Sequence, residues 1–445
     1  MTVESGSQDA AARPVYSNAY RGYVLGMLVL GYIFNTVDRG VLGVLLQPIK
    51  EQFQFTDTQL GLLGGIAFAL FYSVLGIPIA RLADAWSRVN VLTIAVALWS
   101  IATALCGAAQ GFYSLICARI GTAVGESGGS PPSHSLISDY FPSKIRGTAL
   151  SIYAMAVPFG TAIGNYASGW LNVAFGWRLT FVLVGLPGLT VALLLRLTVK
   201  EPPRGYSDTE GAIRKHETPA MWEACKYLCT RWSFMHMSMA AALHSVVWYA
   251  GSTWNASFFM RSHGMDTKAA GAYLAIFALV GTVGTFTGGL LSDRLSTRTG
   301  DRRWYMWVPG IACVIMVPFQ FVSYLSPDMR LVVPAFSVMV ILASMFFGPS
   351  FAVAQALATV RMRAVSTSIL LFVQTLIGLG LGPLFAGMIS DQLEPTVGKP
   401  SLSYGLVIVG MANIWAAVHY FLGARSYRAD LAKTEQLNKM AAGEG

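Results

Sequence analysis

Long apolar runs dominate this chain of 445 residues. Windows of about 20 residues, each apolar enough to cross the hydrocarbon core of a bilayer, recur along its whole length. Charged residues make up only 12% of the chain, against about 25% in soluble proteins, which excludes a water-soluble enzyme. The sequence therefore predicts an all-α membrane protein with twelve transmembrane helices. The predicted spans cover residues 20–48, 58–80, 89–110, 112–138, 146–174, 178–197, 233–261, 268–291, 304–325, 330–356, 364–390 and 402–423.

A polar stretch after the sixth span divides the chain into two bundles of six helices. The predicted regions are a tail at 1–19, a bundle at 20–199, a linker at 200–232, a bundle at 233–425 and a tail at 426–445. The end of the linker mixes Trp222 and Tyr227 with Glu223 and Lys226. That mixture is typical of an amphipathic helix lying on the membrane surface. A simple entry turn into the seventh span is the alternative.

The placement of basic residues predicts the orientation of the chain. Most of the 31 Lys and Arg residues fall on the side of the two termini, which the positive-inside rule assigns to the cytoplasm. The outside loops hold Lys50, Arg178, Arg261, Lys268, Arg330 and Lys399. The net charge of +9 is then explained by anionic lipid headgroups, and no nucleic-acid partner is needed.

A short motif occurs once in each half of the chain. After the second span Asp84 is followed by Arg88, and after the eighth span Gly289 precedes Asp293 and Arg294. An Asp at a helix end can accept from the start of a neighbouring helix and pair with an Arg. The repeat therefore predicts a conformational latch on the cytoplasmic side. An ordinary charge pair at a helix end is the alternative.

This motif is shared across the major facilitator superfamily, and the chain resembles that superfamily along its whole length. The first copy departs from the usual form, since Ala80 replaces the leading Gly and Ala85 the expected Arg. The resemblance implies two six-helix bundles around a central cavity. It also implies alternating access, in which the bundles rock about a site near the midplane.

Charged residues within the predicted spans point to a functional site, because burying a charge in a bilayer is costly. Span 1 carries Asp38 and Arg39, and span 4 carries Arg119 and Glu126. The last two are seven residues apart and share one helix face about 10 Å apart, so each needs a partner on another helix. We expect a proton switch, in which the proton affinity of Glu126 changes with conformation as a nearby Arg moves. A permanent structural ion-pair network is the alternative.

Glycine and proline residues predict a break in span 4 and bends in spans 5 and 11. Gly128-Gly129 and Pro131-Pro132 interrupt the helical hydrogen bonds after Glu126, and such backbone survives in a membrane only beside protein or water. Spans 5 and 11 have small residues and proline at corresponding places, which indicates hinges; ordinary close packing is the alternative. The expected hinge residues are Pro158, Gly160, Gly164, Gly382 and Pro383.

The order of motifs in the first half resembles the Spinster family of lipid transporters and their bacterial homologues. The motifs are Asp38-Arg39, Gly61-Leu62-Leu63, Arg119 with Gly125-Glu126-Ser127, Ser138-Asp139-Tyr140-Phe141-Pro142, Arg146-Gly147 and Pro158-Phe159-Gly160 with Gly164. The resemblance implies proton-linked transport of a sphingolipid, such as sphingosine-1-phosphate, or a lysophospholipid. It implies that Glu126 takes the proton, with Asp38, Arg39 and Arg119 around it. A monomer in a bacterial inner membrane, in contact with membrane lipids, is expected.

The residues are compatible with a lipid cargo, since Arg can hold a charged headgroup and aromatic side chains an apolar tail. The expected substrate contacts are Arg39, Arg119, Glu126, Phe34, Tyr153, Trp248 and Tyr249. Other readings stay open: an exporter or symporter of a drug or small organic anion, or a uniporter without proton coupling. The sequence lacks a phosphate-binding loop and the His-Glu-x-x-His and Gly-x-Ser-x-Gly motifs, so no enzyme, cofactor or metal site is predicted.

Overall fold

The computed structural model describes residues 16–207 and 221–442, with side chains as far as Met440. The start of the predicted N-terminal tail, the middle of the predicted linker and residues 443–445 lie outside the described residues. Within the described ranges the regular structure is helical. The helices form two bundles of six, which confirms the predicted fold class.

The first bundle contains spans 1 to 6. Their bounds are Asn18–Phe53 (span 1), Asp57–Gly64 with Ile66–Ala85 (span 2), Arg88–Cys106 (span 3), Phe112–Ser127 with Ser130–Tyr140 (span 4), and Ser143–Ala154 followed by Ala156–Thr198 (spans 5 and 6). Spans 5 and 6 separate at Gly176, whose φ of 76° is non-helical. As predicted, span 4 is interrupted after Glu126, at Gly128 and Gly129.

The second bundle follows a short helix in the linker, Met221–Cys229. Its bounds are Trp232–His263 (span 7), Thr267–Thr299 (span 8), Trp304–Leu325 (span 9), Met329–Ser344 with Phe347–Ala356 (span 10), Arg363–Val373 with Gly380–Val397 (span 11), and Ser401–Gly410 with Ala412–Ala442 (span 12). A 3₁₀ turn, Val360–Met362, precedes span 11, and a π-helical turn, Gln374–Leu379, interrupts it.

Nine described helical segments are long and apolar enough to cross a membrane by composition alone. One of them, Ser143–Thr198, contains both spans 5 and 6. Spans 4 and 7 fall outside this group because they are richer in polar side chains. Such helices cross a membrane when their polar groups face the protein interior, and the packing of both helices within their bundles meets that condition.

Glycines allow spans 5 and 11 to pack closely on the first helix of their own bundle. A Cβ at Gly160 would lie 2.8 Å from the carbonyl oxygen of Ile33, and one at Gly164 would lie 2.9 Å from the Cα of Val37. Gly382 of span 11 meets the backbone of Val246 in span 7 in the same way. The predicted hinge positions are thus sites of backbone contact in this conformation, and the two bundles repeat the arrangement.

The two ends of the molecule differ in how the bundles meet. The terminal face carries the loops 85–88, 140–143, 299–304 and 356–363 and the linker; the opposite face carries the loops 53–57, 106–112, 263–267, 325–329 and 397–401. Between the described residues of the two bundles, the hydrogen bonds lie at the opposite face. This conformation is therefore closed by polar contacts at the opposite face.

The last helix continues to Ala442, well beyond the predicted end of span 12 at 423. Its continuation packs on the second bundle, where Tyr427 is buried. The Asp430 carboxylate accepts hydrogen bonds from the backbone N–H and the hydroxyl of Ser233, at 3.0 and 2.7 Å. Because Ser233 stands in the first turn of span 7, Asp430 satisfies a free N–H at that helix start. The described part of the region predicted as a tail therefore packs as part of the bundle.

Gly164→Ala is expected to lower the free energy of unfolding by ~1–3 kcal/mol, because its methyl group overpacks the contact with span 1. Gly147→Ala is the control on the same span, since a Cβ there meets nothing within 4 Å. Thermal unfolding of both variants in detergent measures the difference. A Gly164→Ala protein as stable as Gly147→Ala would contradict the packing argument.

Candidate functional site

An ion pair joins span 1 to span 4 within the first bundle. The guanidinium Nε of Arg39 donates to the carboxylate Oε2 of Glu126. The Glu126 side chain is fully buried, whereas the Arg39 side chain is 34% exposed. Arg39 therefore reaches the surface of the bundle while holding a carboxylate that solvent does not reach.

Two aromatic rings of span 2 surround the cations. The Arg39 guanidinium lies 4.7 Å from the ring centre of Tyr72 and 5.6 Å from that of Phe68. Arg119 approaches the same Phe68 ring at 5.0 Å. The two rings are stacked with centres 5.7 Å apart. Cation–π contacts of this kind stabilise a guanidinium that is partly removed from water.

Two further charged side chains, Asp38 and Arg119, lie inside the same bundle. Asp38 accepts a hydrogen bond from the Thr103 hydroxyl at 3.3 Å, and Asp38 and Arg119 are both buried. Arg119 is near enough to Asp38 and Glu126 to act on both carboxylates electrostatically. The structure thus brings all four predicted charges together. Two carboxylates and two guanidiniums balance in formal charge, which reduces the cost of burying them.

The cluster is incompletely hydrogen-bonded. Among the described residues, one carboxylate oxygen of Asp38, one of Glu126, and the Nε and Nη1 of Arg119 are buried without a partner. Such atoms are costly to bury and leave room for another bonding arrangement. This geometry allows Arg39 to exchange its partner and Glu126 to take up a proton.

The predicted substrate contacts divide into accessible and enclosed residues. Phe34, Trp248 and Tyr249 are half-buried, and Tyr249 packs against the span 2 aromatic residues from the second bundle. Arg119, Glu126 and Tyr153, at 3%, 1% and 2% exposed, are enclosed by the first bundle. Arg39 is therefore the accessible cation in this conformation, and contact of the three enclosed residues with the substrate stays a prediction.

The two copies of the predicted latch motif differ. In the second copy Asp293 accepts from the Tyr305 hydroxyl at 2.5 Å, which joins the end of span 8 to span 9. Gly289 lies beside span 10, since a Cβ added at Gly348 of that span would lie 3.7 Å from the Cα of Gly289. Arg294 is exposed. In the first copy the Asp84 side chain is 77% exposed and lies 3.8 Å from Arg204. Asp84 therefore makes only a loose surface contact.

Arg88 of the first copy is a buried tether at the terminal face. It binds Asp139 at the end of span 4, Glu201 at 2.7 Å and the Pro202 carbonyl at 2.8 Å. Burial favours a raised pKa for Glu201, but the Val89 N–H and the Arg88 guanidinium outweigh burial and lower the pKa. Glu201 thereby links the linker to the start of span 3.

Sequence reasoning missed a polar network that closes the opposite face. The buried carboxylate of Asp57 pairs with Arg261 at 2.6 and 2.8 Å and with Lys50 at 2.6 Å. The backbone N–H groups of Asp57 and Thr58 donate to Asp391 at 2.8 and 2.7 Å. The available signal was the presence of Lys50 and Arg261 in outside loops otherwise poor in basic residues.

Two six-helix bundles that close at one face around a buried charge cluster define a membrane transporter. The model of the Major Facilitator Superfamily matches residues 28–383, and the chain belongs to this superfamily.

Within the superfamily the chain is related to Spinster proteins. The crystal structure of a bacterial homologue of the human lysosomal transporter Spinster, inward-facing and unoccupied, is 34% identical over 93% of this chain and 99% of that chain, with a TM-score of 0.86. An MFS-type efflux pump of Mycolicibacterium smegmatis is 29% identical over 92% of this chain and 93% of its own length. The zebrafish (Danio rerio) sphingosine-1-phosphate transporter SPNS2 is 24% identical over 94% and 86%.

Glu201→Gln is expected to lower stability at neutral pH and to flatten its pH dependence. Because the pKa of Glu201 is lowered by folding, its contribution is fully present above the ordinary glutamate value, about 4.3, and is lost as pH falls through the lowered pKa. Thermal unfolding between neutral and acidic pH measures both effects. A variant that follows the parent curve throughout would contradict this role.

Asp57→Asn is expected to weaken the closed opposite face by about 3 kcal/mol, because Arg261 and Lys50 lose their buried partner. This corresponds to roughly 100-fold in the ratio of closed to open protein. Spin labels on the exposed positions Glu51 and Gln392 report the separation of the bundles.

The expected result is a new population at longer label distance. Asp328→Asn is the control, because Asp328 is an exposed acid on the same face that bonds within its own loop. An unchanged distance distribution in Asp57→Asn would show that this network does not hold the face closed.

Proposed function

We propose that this protein is a proton-coupled transporter of an amphipathic lipid that works by alternating access. The observation that carries the proposal is the Arg39–Glu126 pair, which joins an accessible cation to a fully buried acid. A lysophospholipid or a sphingolipid such as sphingosine-1-phosphate is the expected substrate class. A substrate of this class has one charged headgroup, which Arg39 would bind, and one apolar chain, which the neighbouring aromatic side chains would contact.

Competition for Arg39 would couple the proton to the substrate. While Glu126 is ionised, its carboxylate occupies the Arg39 guanidinium. When Glu126 is protonated, Arg39 loses its counter-ion and can bind the phosphate of a headgroup. Binding of the two ligands is then linked, and reciprocity requires that each alters the affinity for the other.

Alternating access also requires that one face of the protein is closed while the other is open. The closed opposite face meets this requirement. The Asp57 network would break when the bundles rock, and the terminal face would close in turn. Arg39 and Glu126 both belong to the first bundle, whereas Tyr249 of the second bundle packs on the apolar cluster that contains Phe68, the ring beside Arg39. Rocking would therefore move Tyr249 and the aromatic residues of span 2 apart, and this changes the surroundings of the ion pair.

A lipid cargo is supported by the aromatic surroundings of Arg39 and by the relation to Spinster proteins. Phe68, Phe71, Tyr72 and Tyr249 form an apolar cluster between the bundles, where an acyl chain would find apolar contacts. The basic residues predict that the terminal face is cytoplasmic. The similarity to a bacterial Spinster homologue supports a location in a bacterial inner membrane. We propose that the chain acts there as a monomer.

Export of a drug or small organic anion is the second candidate. The similarity to an MFS-type efflux pump over nearly the whole of both chains favours it. Both functions use the same pair of bundles and the same accessible cation. Binding of lysophospholipid, sphingosine-1-phosphate and common efflux drugs to the purified protein distinguishes the two functions.

Glu126→Gln is expected to reduce uptake driven by a pH gradient by ~10-fold or more, because a permanently neutral side chain cannot exchange a proton. Counterflow between equal substrate pools is expected to stay near the parent rate, since exchange needs no net proton movement. Uptake and counterflow of a labelled lysophospholipid in proteoliposomes measure the two rates, and a trapped pH-sensitive dye reports the proton movement that accompanies uptake. Glu394→Gln, at an exposed position, is the control, and gradient-driven uptake that persists in Glu126→Gln would refute proton coupling through this residue.

A further inference from the structure

A small cavity lies inside the first bundle, next to the break in span 4 at Gly129. Its volume is about 10 Å³, which is the space that one water molecule needs. Spans 1, 3, 4, 5 and 6 contribute to its walls. The polar lining residues are Tyr32, Asn35, Trp99, Ser130, Ser133 and Tyr153.

Trp99 supplies an unpaired donor in this cavity wall. The residue is 1% exposed, and its indole N–H has no hydrogen-bond partner among the described residues. The ring is held in place by span 4, since Cβ atoms at Gly125 and Gly129 would lie 2.8 Å from its Cβ and 3.4 Å from its Cζ3. A buried indole N–H without a partner is costly, and a water oxygen in the cavity would accept from it.

Two residues that line the cavity contact Glu126. Gly129, which lines it, donates its backbone N–H to the Glu126 carbonyl at 3.0 Å. Asn35 of span 1 also lines it, and the Asn35 amide lies beside the Glu126 carboxylate. One oxygen of that carboxylate has no partner in the described structure. The neutral amide of Asn35 is therefore placed between the cavity and the buried acid.

The serine residues of span 4 provide further bonding sites for a water. The Ser133 hydroxyl donates to the Gly129 carbonyl at 2.8 Å, which leaves its oxygen free to accept. A water that accepts from Trp99 could then donate to Ser133 and to the amide oxygen of Asn35. Three hydrogen bonds are the usual number for a buried water.

We propose that this cavity binds one water molecule, held by Trp99, Ser133 and Asn35, and that this water positions Asn35 to donate to the Glu126 carboxylate. Trp99 is thus a positioning residue that acts on Glu126 through the water and the amide. This role rests on the proposed protonation of Glu126, whereas the water site itself does not.

The water site is tested directly by magnetic resonance of the indole N–H groups. The full-length protein in lipid nanodiscs, with its 11 tryptophans labelled with nitrogen-15, would show one indole signal per residue. The signal missing from Trp99→Phe belongs to Trp99. A cross-peak from that N–H to water is expected, and its absence, with slow exchange in heavy water, would overturn the site.

The positioning role is tested by the pH profile of uptake in proteoliposomes. In Trp99→Phe the ionised Glu126 loses a well-placed donor, so the pH of half-maximal uptake is expected to rise by roughly half a pH unit. Trp170→Phe, at an exposed position away from the cavity, is the matched control and should keep the parent profile. If Trp99→Phe shows the same pH profile of uptake as the parent protein, the positioning role is overturned, even if the water is detected.

The failure of the proposed function gives a different result. If transport is not coupled to Glu126, the pH profile of uptake is the same in the parent protein and in Glu126→Gln. The positioning role then falls with the proton coupling. The magnetic resonance result still decides whether water occupies the cavity, because it requires no transport.

Discussion

A charge buried in a bilayer must find its counter-charge inside the protein, and the first bundle is arranged around that requirement. Glu126 is enclosed, so it depends on Arg39 from another helix. Asp38 and Arg119 are buried beside this pair, and the four side chains balance in formal charge. The charges of these side chains cancel, but their hydrogen bonds are incomplete. Buried atoms of three of the side chains have no partner among the described residues. A cluster held by charge rather than by complete hydrogen bonding can change its protonation without dismantling the fold.

Close backbone contact determines how the bundles can move. Glycines bring spans 2 and 11 together across the bundle boundary, where a Cβ at Gly61 would lie 2.5 Å from the Pro383 carbonyl. The Asp57 network lies at the same end of these helices. Small side chains thus give the opposite face a close apolar contact and buried charges give it a polar one. At the terminal face, by contrast, the described tethers such as Arg88–Asp139 connect elements of one bundle. The bundles can therefore separate there while each keeps its own packing.

Features that depend on local pattern could be predicted from the sequence. The apolar runs predicted twelve spans, and the glycines after Glu126 predicted the break in span 4. The proximity of Arg39 and Glu126 could be predicted because a buried charge leaves few choices of partner. The Asp57 network could not, because its partners Arg261 and Asp391 are 204 and 334 residues away along the chain. The continuation of the last helix was also missed, since charged residues on its exposed side resemble those of a tail.

Proton-coupled transport of the proposed kind requires that the proton affinity of Glu126 depends on which face is open. The most direct measurement is an infrared titration of its carboxyl band, identified by its loss in Glu126→Gln, with the protein cross-linked in each of the two conformations. We expect titration midpoints that differ between the two conformations by about one pH unit or more. Equal midpoints in the two locked forms would show that Glu126 and Arg39 form a fixed structural pair.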